Sequence, residues 1–217
     1  MALTTRVFAD RAEAGVALAR ELQKRHLQAP LLVLALPRGG VPVAHEVARL
    51  LNVPLDVILV RKVGMPGQPE LAIGAVASGD IVVRDRTLER EVPGIAEAFA
   101  RIASDERREL QRREQVYRAG LPALVLEGKT VILVDDGLAT GSTMLAAVRA
   151  ARAGRAAAII VAAPVASPQA AQLLRVEADE VVIPQIPAML FAIGEWYERF
   201  EQLEDAEVCR ILEQHRR

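Results

Sequence analysis

Short apolar runs that alternate with helical segments are the feature of this sequence that limits its possible folds most strongly. Four such runs stand at residues 31–36 (LLVLAL), 55–60 (LDVILV), 130–134 (TVILV) and 157–163 (AAIIVAA). Continuous runs of this length are typical of strands buried on both faces. Helical patterns over residues 41–51 and 142–153 follow the first and third runs, and parallel neighbours need such crossovers. The sequence therefore predicts an α/β fold with a parallel sheet flanked by helices.

The rest of the chain predicts further elements around this sheet. A first helix is expected over residues 11–27, after a possible capping carboxylate at Asp10. The glycine- and proline-rich stretch 61–69 (RKVGMPGQP) predicts a mobile loop. The remaining expectations are a hairpin of 71–77 and 80–83 that could join the sheet, a long charged helix over about 94–117, a short helix at 168–174, a last strand at 180–183 and a final helix near 206–214.

Composition excludes several classes of protein. The chain has 217 residues, of which 52% are hydrophobic and 25% charged, with a net charge of -1, so we expect a soluble globular protein without a nucleic-acid partner. No run approaches the roughly 20 apolar residues of a membrane helix, which predicts a cytoplasmic protein that does not bind a membrane. The single Cys209 cannot form an internal disulfide, and the dispersed histidines lack metal-ligand spacing. A homo-oligomer, with a dimer favoured, is the general expectation for such a protein.

The segment 131–143 (VILVDDGLATGST) carries the strongest chemical signal. It is a buried strand that ends in Asp135 and Asp136, followed by glycines, hydroxyl side chains and the start of a helix. Such a loop offers backbone N–H groups, hydroxyls and a helix dipole to a phosphate. A glycine-rich turn in which Ser142 or Thr143 only caps the helix would look similar. Adjacent acids repel each other unless a cation or hydroxyl donors compensate, which favours a ligand.

This segment resembles the phosphoribosyl pyrophosphate signature of the type I phosphoribosyltransferases, with Ser142 where glycine is commoner. The resemblance implies a phosphoribosyltransferase-like (Rossmann-like) parallel sheet with a small hood. It implies a single domain over residues 1–217, with a core of about 28–183 and a hood contributed by the N-terminal segment and about 184–217. Asp135 and Asp136 would contact the ribose hydroxyls. The 5′-phosphate would lie in the loop formed by Gly137, Ala139, Thr140, Gly141, Ser142 and Thr143.

The same resemblance assigns two further loops to the pyrophosphate. Arg38, Gly39 and Gly40 follow the first strand and match the family's pyrophosphate loop, although the segment alone could be a surface turn. Arg61 and Lys62 resemble the start of a mobile loop that closes over the reacting centre. Glu70 lies where some adenine-type members carry a loop carboxylate that helps to manage the base proton, but the neighbouring tyrosines are missing.

The aromatic tail of the chain is the candidate for recognition of the base. Phe191 and Trp196 lie in a stretch loosely similar to the one in which hypoxanthine-type members place an aromatic residue over the purine. These aromatics could equally pin the C-terminal helix to the core.

The sequence thus predicts transfer of a phosphoribosyl group from phosphoribosyl pyrophosphate to a nitrogenous base of purine type. Magnesium would be the cofactor, held through the substrate and possibly by Asp135 and Asp136, without a dedicated protein site. Catalytic roles fall to Asp135, Asp136, Lys62 and Glu70. The alternative is a non-catalytic regulatory protein of the same fold that binds the donor or a nucleotide. An oxidoreductase of the Rossmann type would need GxGxxG after the first strand, where this chain has PRGGVP.

Overall fold

A computed structural model describes residues 7–215, apart from the side chains of Pro69 and Glu70. The elements along the chain are α1 (Arg11–Gln23), β1 (Leu31–Ala35), α2 (Gly40–Leu51), β2 (Leu55–Val57), β3 (Val60–Met65), β4 (Gln68–Ala77), β5 (Ile81–Arg84), α3 (Arg86–Glu91), α4 (Ile95–Arg118), β6 (Thr130–Val134), α5 (Ser142–Ala153), β7 (Ala158–Ala162), α6 (Pro168–Glu177), β8 (Glu180–Val182), a 3₁₀ turn (Ile193–Trp196) and α7 (Asp205–His215).

Five parallel strands in the order β2-β1-β6-β7-β8 form the central sheet. In β6, Ile132 and Val134 point to a core shared with α1, α2, α4 and α7. The alternating Val131 and Leu133 point to a second core shared with α5 and α6. Because successive side chains of a strand face opposite sides, a strand covered on both faces must be apolar throughout. The predicted parallel α/β sheet flanked by helices is confirmed.

The apolar run 55–60 does not form one strand as predicted. β2 ends at Val57, and β3 begins at Val60 in a different sheet. Between them the chain changes partners, because the Ile58 N–H still donates to the carbonyl of Ala35 (3.0 Å) whereas the Leu59 N–H donates to Ser78 Oγ (3.0 Å). The buried hydroxyl of Ser78 satisfies the backbone at the point where the run divides.

The glycine- and proline-rich stretch is a hairpin and not the predicted loop without regular structure. β3 and β4 pair antiparallel, with irregular register around Gly64 and a turn that contains Gly67 at a φ of 79°. Glycine and proline therefore occupy the bulge and the turn, where such residues are compatible with strands. The predicted hairpin of 71–77 and 80–83 exists as β4 and β5, but it joins β3 in a separate three-stranded antiparallel sheet.

The helix predictions were correct in position and less accurate at the ends. The Glu13 N–H donates to Asp10 Oδ1 (3.0 Å), so Asp10 caps α1 as predicted, but the helix ends at Gln23 and not at residue 27. The helix α3, capped by Asp85, was not anticipated. None of the helices between residues 7 and 215 is long and apolar enough to cross a membrane.

The segment before α1 pairs with the segment at the end of the 3₁₀ turn, near the carboxyl end of β6. The Phe8 N–H donates to the carbonyl of Trp196 (2.9 Å), and the Glu198 N–H donates to the carbonyl of Phe8 (2.8 Å). Their side chains form a small apolar cluster, called here the hood cluster: Phe8, Ala14, Ala17, Val165, Leu190, Ile193, Trp196, Tyr197 and Phe200. This cluster is separate from the two cores that cover the sheet.

Candidate functional site

The loop that joins β6 to α5 is anchored from below by the segment after β7. The Leu138 N–H donates to the carbonyl of Val165 (3.0 Å), and Ser167 Oγ donates to the carbonyl of Ala139 (2.6 Å). Gly141 has a φ of 73°, a conformation that glycine adopts without strain, and it precedes the first turn of α5. Ala139, Thr140 and Thr143 remain exposed. The loop thus has a fixed backbone and open hydroxyl side chains at a helix N-terminus, as a phosphate site requires.

Asp135 and Asp136 lie at the end of β6, where both residues are partly buried. Burial, together with the charge of Asp136, raises the pKa of Asp135 well above its ordinary value. Burial also raises the pKa of Asp136, but a hydrogen bond and the positive charge of Arg11 oppose this shift. The Asp136 N–H donates to Asp135 Oδ1 (2.9 Å). The two acids therefore differ in environment, because Arg11 donates a hydrogen bond to Asp136 but acts on Asp135 through its charge alone.

Gly39 and Gly40 lie directly against the acid pair, between β1 and the first turn of α2. A Cβ at Gly39 would stand 2.1 Å from Asp136 Oδ2, and one at Gly40 would stand 2.5 Å from the carbonyl oxygen of Val134. Glycine is required at both positions for this approach. The peptide bond between Pro37 and Arg38 is cis. Arg38 Nη1 lies 3.8 Å from Asp205 Oδ1, at the start of α7.

Arg61 and Lys62 alternate along β3 and have different surroundings. Arg61 Nε donates to Glu106 Oε2 of α4 (2.5 Å). Arg61 also lines a small cavity of about 40 Å³ together with Pro37 and Thr143. This cavity is therefore lined by one residue from each of the three segments that the sequence singled out.

Lys62 lies in a larger cleft of about 350 Å³ between the three-stranded sheet and α5. Ser142, the first residue of α5, lines the same cleft, and Arg86 and Arg149 also border it. Each of these two arginines has an acidic neighbour, since Arg86 pairs with Glu89 and Arg149 with Glu177. The cleft connects the phosphate loop with the Lys62 strand, although these elements are far apart in sequence.

The predicted base-binding residues have contrasting exposure. Phe191 is 77% exposed in the irregular segment that follows β8, so its ring is accessible to a ligand. Trp196 is 9% exposed and packs within the hood cluster. The backbone of Glu70 belongs to β4, and its side chain lies outside the described part of the structure.

Two residues that sequence reasoning did not select complete the surroundings of the acids. Arg11 Nε donates to Asp136 Oδ2 (2.8 Å), and the Tyr197 hydroxyl donates to the backbone carbonyl of Asp136 (2.5 Å). Burial raises the pKa of Tyr197, so the phenol stays a proton donor. No local motif could have found Arg11, because 125 positions separate it from Asp136.

The acid pair could take part in holding a metal ion only together with other ligands. Among residues 7–215, no group of three or more histidine, cysteine, aspartate and glutamate residues could hold one. Magnesium commonly uses one or two carboxylates and completes its shell with substrate oxygens and water. Two adjacent carboxylates at the end of β6 fit that pattern.

Comparisons with known proteins agree with this arrangement. The family model of the phosphoribosyl transferase domain matches residues 10–199. Two curated relatives from Mycobacterium tuberculosis, strains CDC 1551 and H37Rv, are named only as candidate phosphoribosyl transferases. Each is 41% identical over 212 residues, which is 98% of this chain and 48% of the relative, so the chain spans about half the length of these relatives.

A solved structure is also closely similar over nearly its whole length. The crystal structure of TT1426 from Thermus thermophilus has a TM-score of 0.89 and 43% identity, and the match covers 96% of this chain and 98% of that one. With the family model matching most of the sequence, the chain belongs to the phosphoribosyl transferase family.

Proposed function

We propose that this chain transfers the 5-phosphoribosyl group of phosphoribosyl pyrophosphate to a nitrogenous base of purine type and releases pyrophosphate. The observation that carries the proposal is the convergence of three segments of the chain. Pro37, Arg61 and Thr143 border one cavity, and Gly39 lies against Asp136. A donor with a phosphate at one end, a ribose in the middle and a pyrophosphate on C1 needs three such surfaces side by side.

Each part of the donor has a proposed partner in this arrangement. The loop 137–143 holds the 5′-phosphate through backbone N–H groups and the hydroxyls of Thr140, Ser142 and Thr143. Asp135 and Asp136 accept hydrogen bonds from the ribose hydroxyls. Pyrophosphate lies against the segment 38–40, with Arg61 and Lys62 supplying positive charge.

The proposed reaction is a displacement at C1 of the ribose. The bond from C1 to the pyrophosphate oxygen breaks with its electron pair, and a ring nitrogen of the base forms the new bond to C1. The proton of that nitrogen leaves to a carboxylate or to water. The anionic surroundings of Asp135 and Asp136 stabilise the positive charge that develops on the ribose.

Members of this family generally use magnesium with the donor, and Asp135 and Asp136 are the residues that would take part in holding it here. The ion would supply Lewis-acid neutralisation of the leaving pyrophosphate. The side chain of Phe191 is proposed to stack on the base, because its ring is exposed while Trp196 is covered. Glu70 is proposed as a further group near the base proton.

The decisive experiment measures pyrophosphate release from the donor and magnesium with a panel of purine and pyrimidine bases. We expect turnover with at least one purine, and Asp136→Asn should lower it by roughly 100-fold or more, as loss of a charge-stabilising group does in other enzymes. Asp179→Asn is the matched control, since Asp179 likewise pairs with an arginine (Arg152) but accepts from the Ile159 N–H near the start of β7, at the other end of the parallel strands.

Donor binding without turnover of any base would contradict the enzymatic proposal. That result would favour the alternative, a regulatory protein that binds the donor or a nucleotide without converting it.

A further inference from the structure

Arg11 is held on three sides, which is unusual for a residue in the first turn of a helix. Its Nε donates to Asp136 Oδ2 (2.8 Å), and its Nη1 donates to the carbonyl of Glu201 (3.0 Å). The guanidinium group also lies 3.8 Å from the centre of the Phe200 ring. The side chains of Arg11 and Asp136 are only 11% and 14% exposed. This ion pair is therefore a fixed, partly dehydrated contact and not a loose surface pair.

The same aromatic group also fixes the backbone of Asp136. Tyr197 donates its hydroxyl hydrogen bond to the Asp136 carbonyl, and its ring stacks on Phe200 at 4.9 Å between centres. Phe8 packs in a tilted arrangement against the Tyr197 ring, with 5.8 Å between the ring centres. Phe200 thus contacts both Arg11, which pairs with Asp136, and Tyr197. Arg11 therefore holds the side chain of Asp136, and Tyr197 holds the main chain of the same residue.

The acid pair needs such support because of its position. Asp135 and Asp136 are adjacent and partly buried, so two carboxyl groups lie close together with little access to water. Asp136 also meets Gly39, which has no side chain that could compensate the charge. Among the described groups near Asp136, the positive charge comes from Arg11 and the hydroxyl from Tyr197.

This inference rests on the function proposed above. We infer that Arg11 is a positioning residue for the donor's ribose, which holds the Asp136 carboxylate by its Oδ2 atom so that Oδ1 can accept from a ribose hydroxyl. Arg11 itself need not touch the substrate. The opposing view is that Arg11 only fastens the N-terminal segment to the rest of the protein, in which case its loss would act through folding alone.

A double-mutant cycle on binding of the donor separates these two views. Calorimetry with phosphoribosyl pyrophosphate and magnesium would be carried out on the wild type, Arg11→Ala, Asp136→Asn and the double variant. We expect Arg11→Ala to weaken binding about 10- to 100-fold, the loss typical of a hydrogen bond to a charged group. In the Asp136→Asn background the same change should matter less than about twofold, because the two residues act as one unit.

Arg118→Ala is the matched control for destabilisation. Arg118 is also a buried arginine that donates to a carboxylate, Asp56, and to a backbone carbonyl, that of Pro122, but it lies at the end of α4. Its effect on binding should be small and equal in both backgrounds. Arg11→Lys should recover part of the affinity, since lysine retains the charge but not the forked geometry.

The outcomes are distinct. If the losses from Arg11→Ala and Asp136→Asn multiply as independent effects, Arg11 does not act through Asp136 and the inference fails while the proposed function stands. If the wild type binds no donor, the proposed function fails, and the inference that rests on it fails as well. Should Arg11→Ala not fold, Arg11→Lys and Tyr197→Phe provide the same comparison with the rings in place, and unaltered donor binding in both would overturn the role.

Discussion

The segment 131–143 and the hood cluster lie side by side but are built in opposite ways. The two acids and the glycine-rich loop come from one continuous stretch, which begins with a strand buried on both faces. The residues around the hood cluster come from distant parts of the chain, since the contact from Arg11 to Glu201 spans 190 positions. Groups that we propose to bind a ligand are thus local in sequence, while the side chains that hold them are not.

The two regions also differ in how much core supports them. The sheet is covered by a large apolar cluster on each face, whereas the hood depends on the few residues of the hood cluster. A region with few buried apolar contacts opens more easily than a large core. We therefore expect the hood cluster to loosen first, and with it the contacts of Arg11 and Tyr197 with Asp136.

The largest effect is expected from Phe8→Ala. Phe8 is fully buried in the hood cluster, and truncation of a buried phenylalanine typically costs about 3–5 kcal/mol. Denaturant unfolding would measure this loss, and donor binding should weaken with it. Val7→Ala is the control, because Val7 is exposed and adjacent. A loss below about 1 kcal/mol for Phe8→Ala would mean that the hood cluster contributes little to folding.

An intermediate effect is expected where the two regions touch. A Cβ at Gly137 would lie 2.5 Å from Ile193 Cγ2 of the hood cluster, so Gly137→Ala should cost roughly 1–3 kcal/mol through overpacking. Ile193→Ala removes the opposing atoms. The double variant should therefore be more stable than the sum of the two single changes predicts. Additive losses in thermal unfolding would show that the two surfaces do not meet as described.

A gain in stability is expected from Asp135→Asn. The pKa of Asp135 is raised in the folded state, so between its ordinary value and the raised value the folded protein binds more protons than the unfolded one. The wild type accordingly loses stability as the pH rises through that window, because the Asp135 charge then forms in a site that disfavours it. Asparagine keeps the oxygen that accepts from the Asp136 N–H and lacks the charge.

Unfolding of Asp135→Asn and the wild type across acidic to neutral pH would test this expectation. The variant should match the wild type at low pH and exceed it at neutral pH, while donor binding weakens. A variant less stable than the wild type at neutral pH would contradict the raised pKa.

The smallest effect on folding is expected from Phe191→Ala. The exposed ring contributes little to the fold, so the free energy of unfolding should change by less than about 0.5 kcal/mol. Loss of a stacking partner should weaken base binding by about 1–3 kcal/mol. Met189→Ala, two positions earlier and also exposed, is the control. Equal base affinities for the two variants would remove Phe191 from the proposed base site.

The accuracy of the sequence predictions follows the range of the interactions involved. The bounds of β1, β6 and β7 were predicted nearly to the residue. A strand covered on both faces is apolar at every position, so its bounds can be read from consecutive residues. The run 55–60 failed as a single strand because its end depends on Ser78, about twenty positions later. The stretch 61–69 failed as a loop because pairing with β4 organised residues whose local preference is for turns.

The sequence by itself determined the parallel sheet and predicted a phosphate loop with two acids, since both depend on contiguous residues. Only the tertiary structure decided that Arg11 and Tyr197 hold Asp136, that Trp196 is covered and that Phe191 is exposed. These facts depend on contacts between distant parts of the chain, which exist only in the folded protein. Burial and the proximity of charge are properties of the folded arrangement, and no local pattern of residues encodes them.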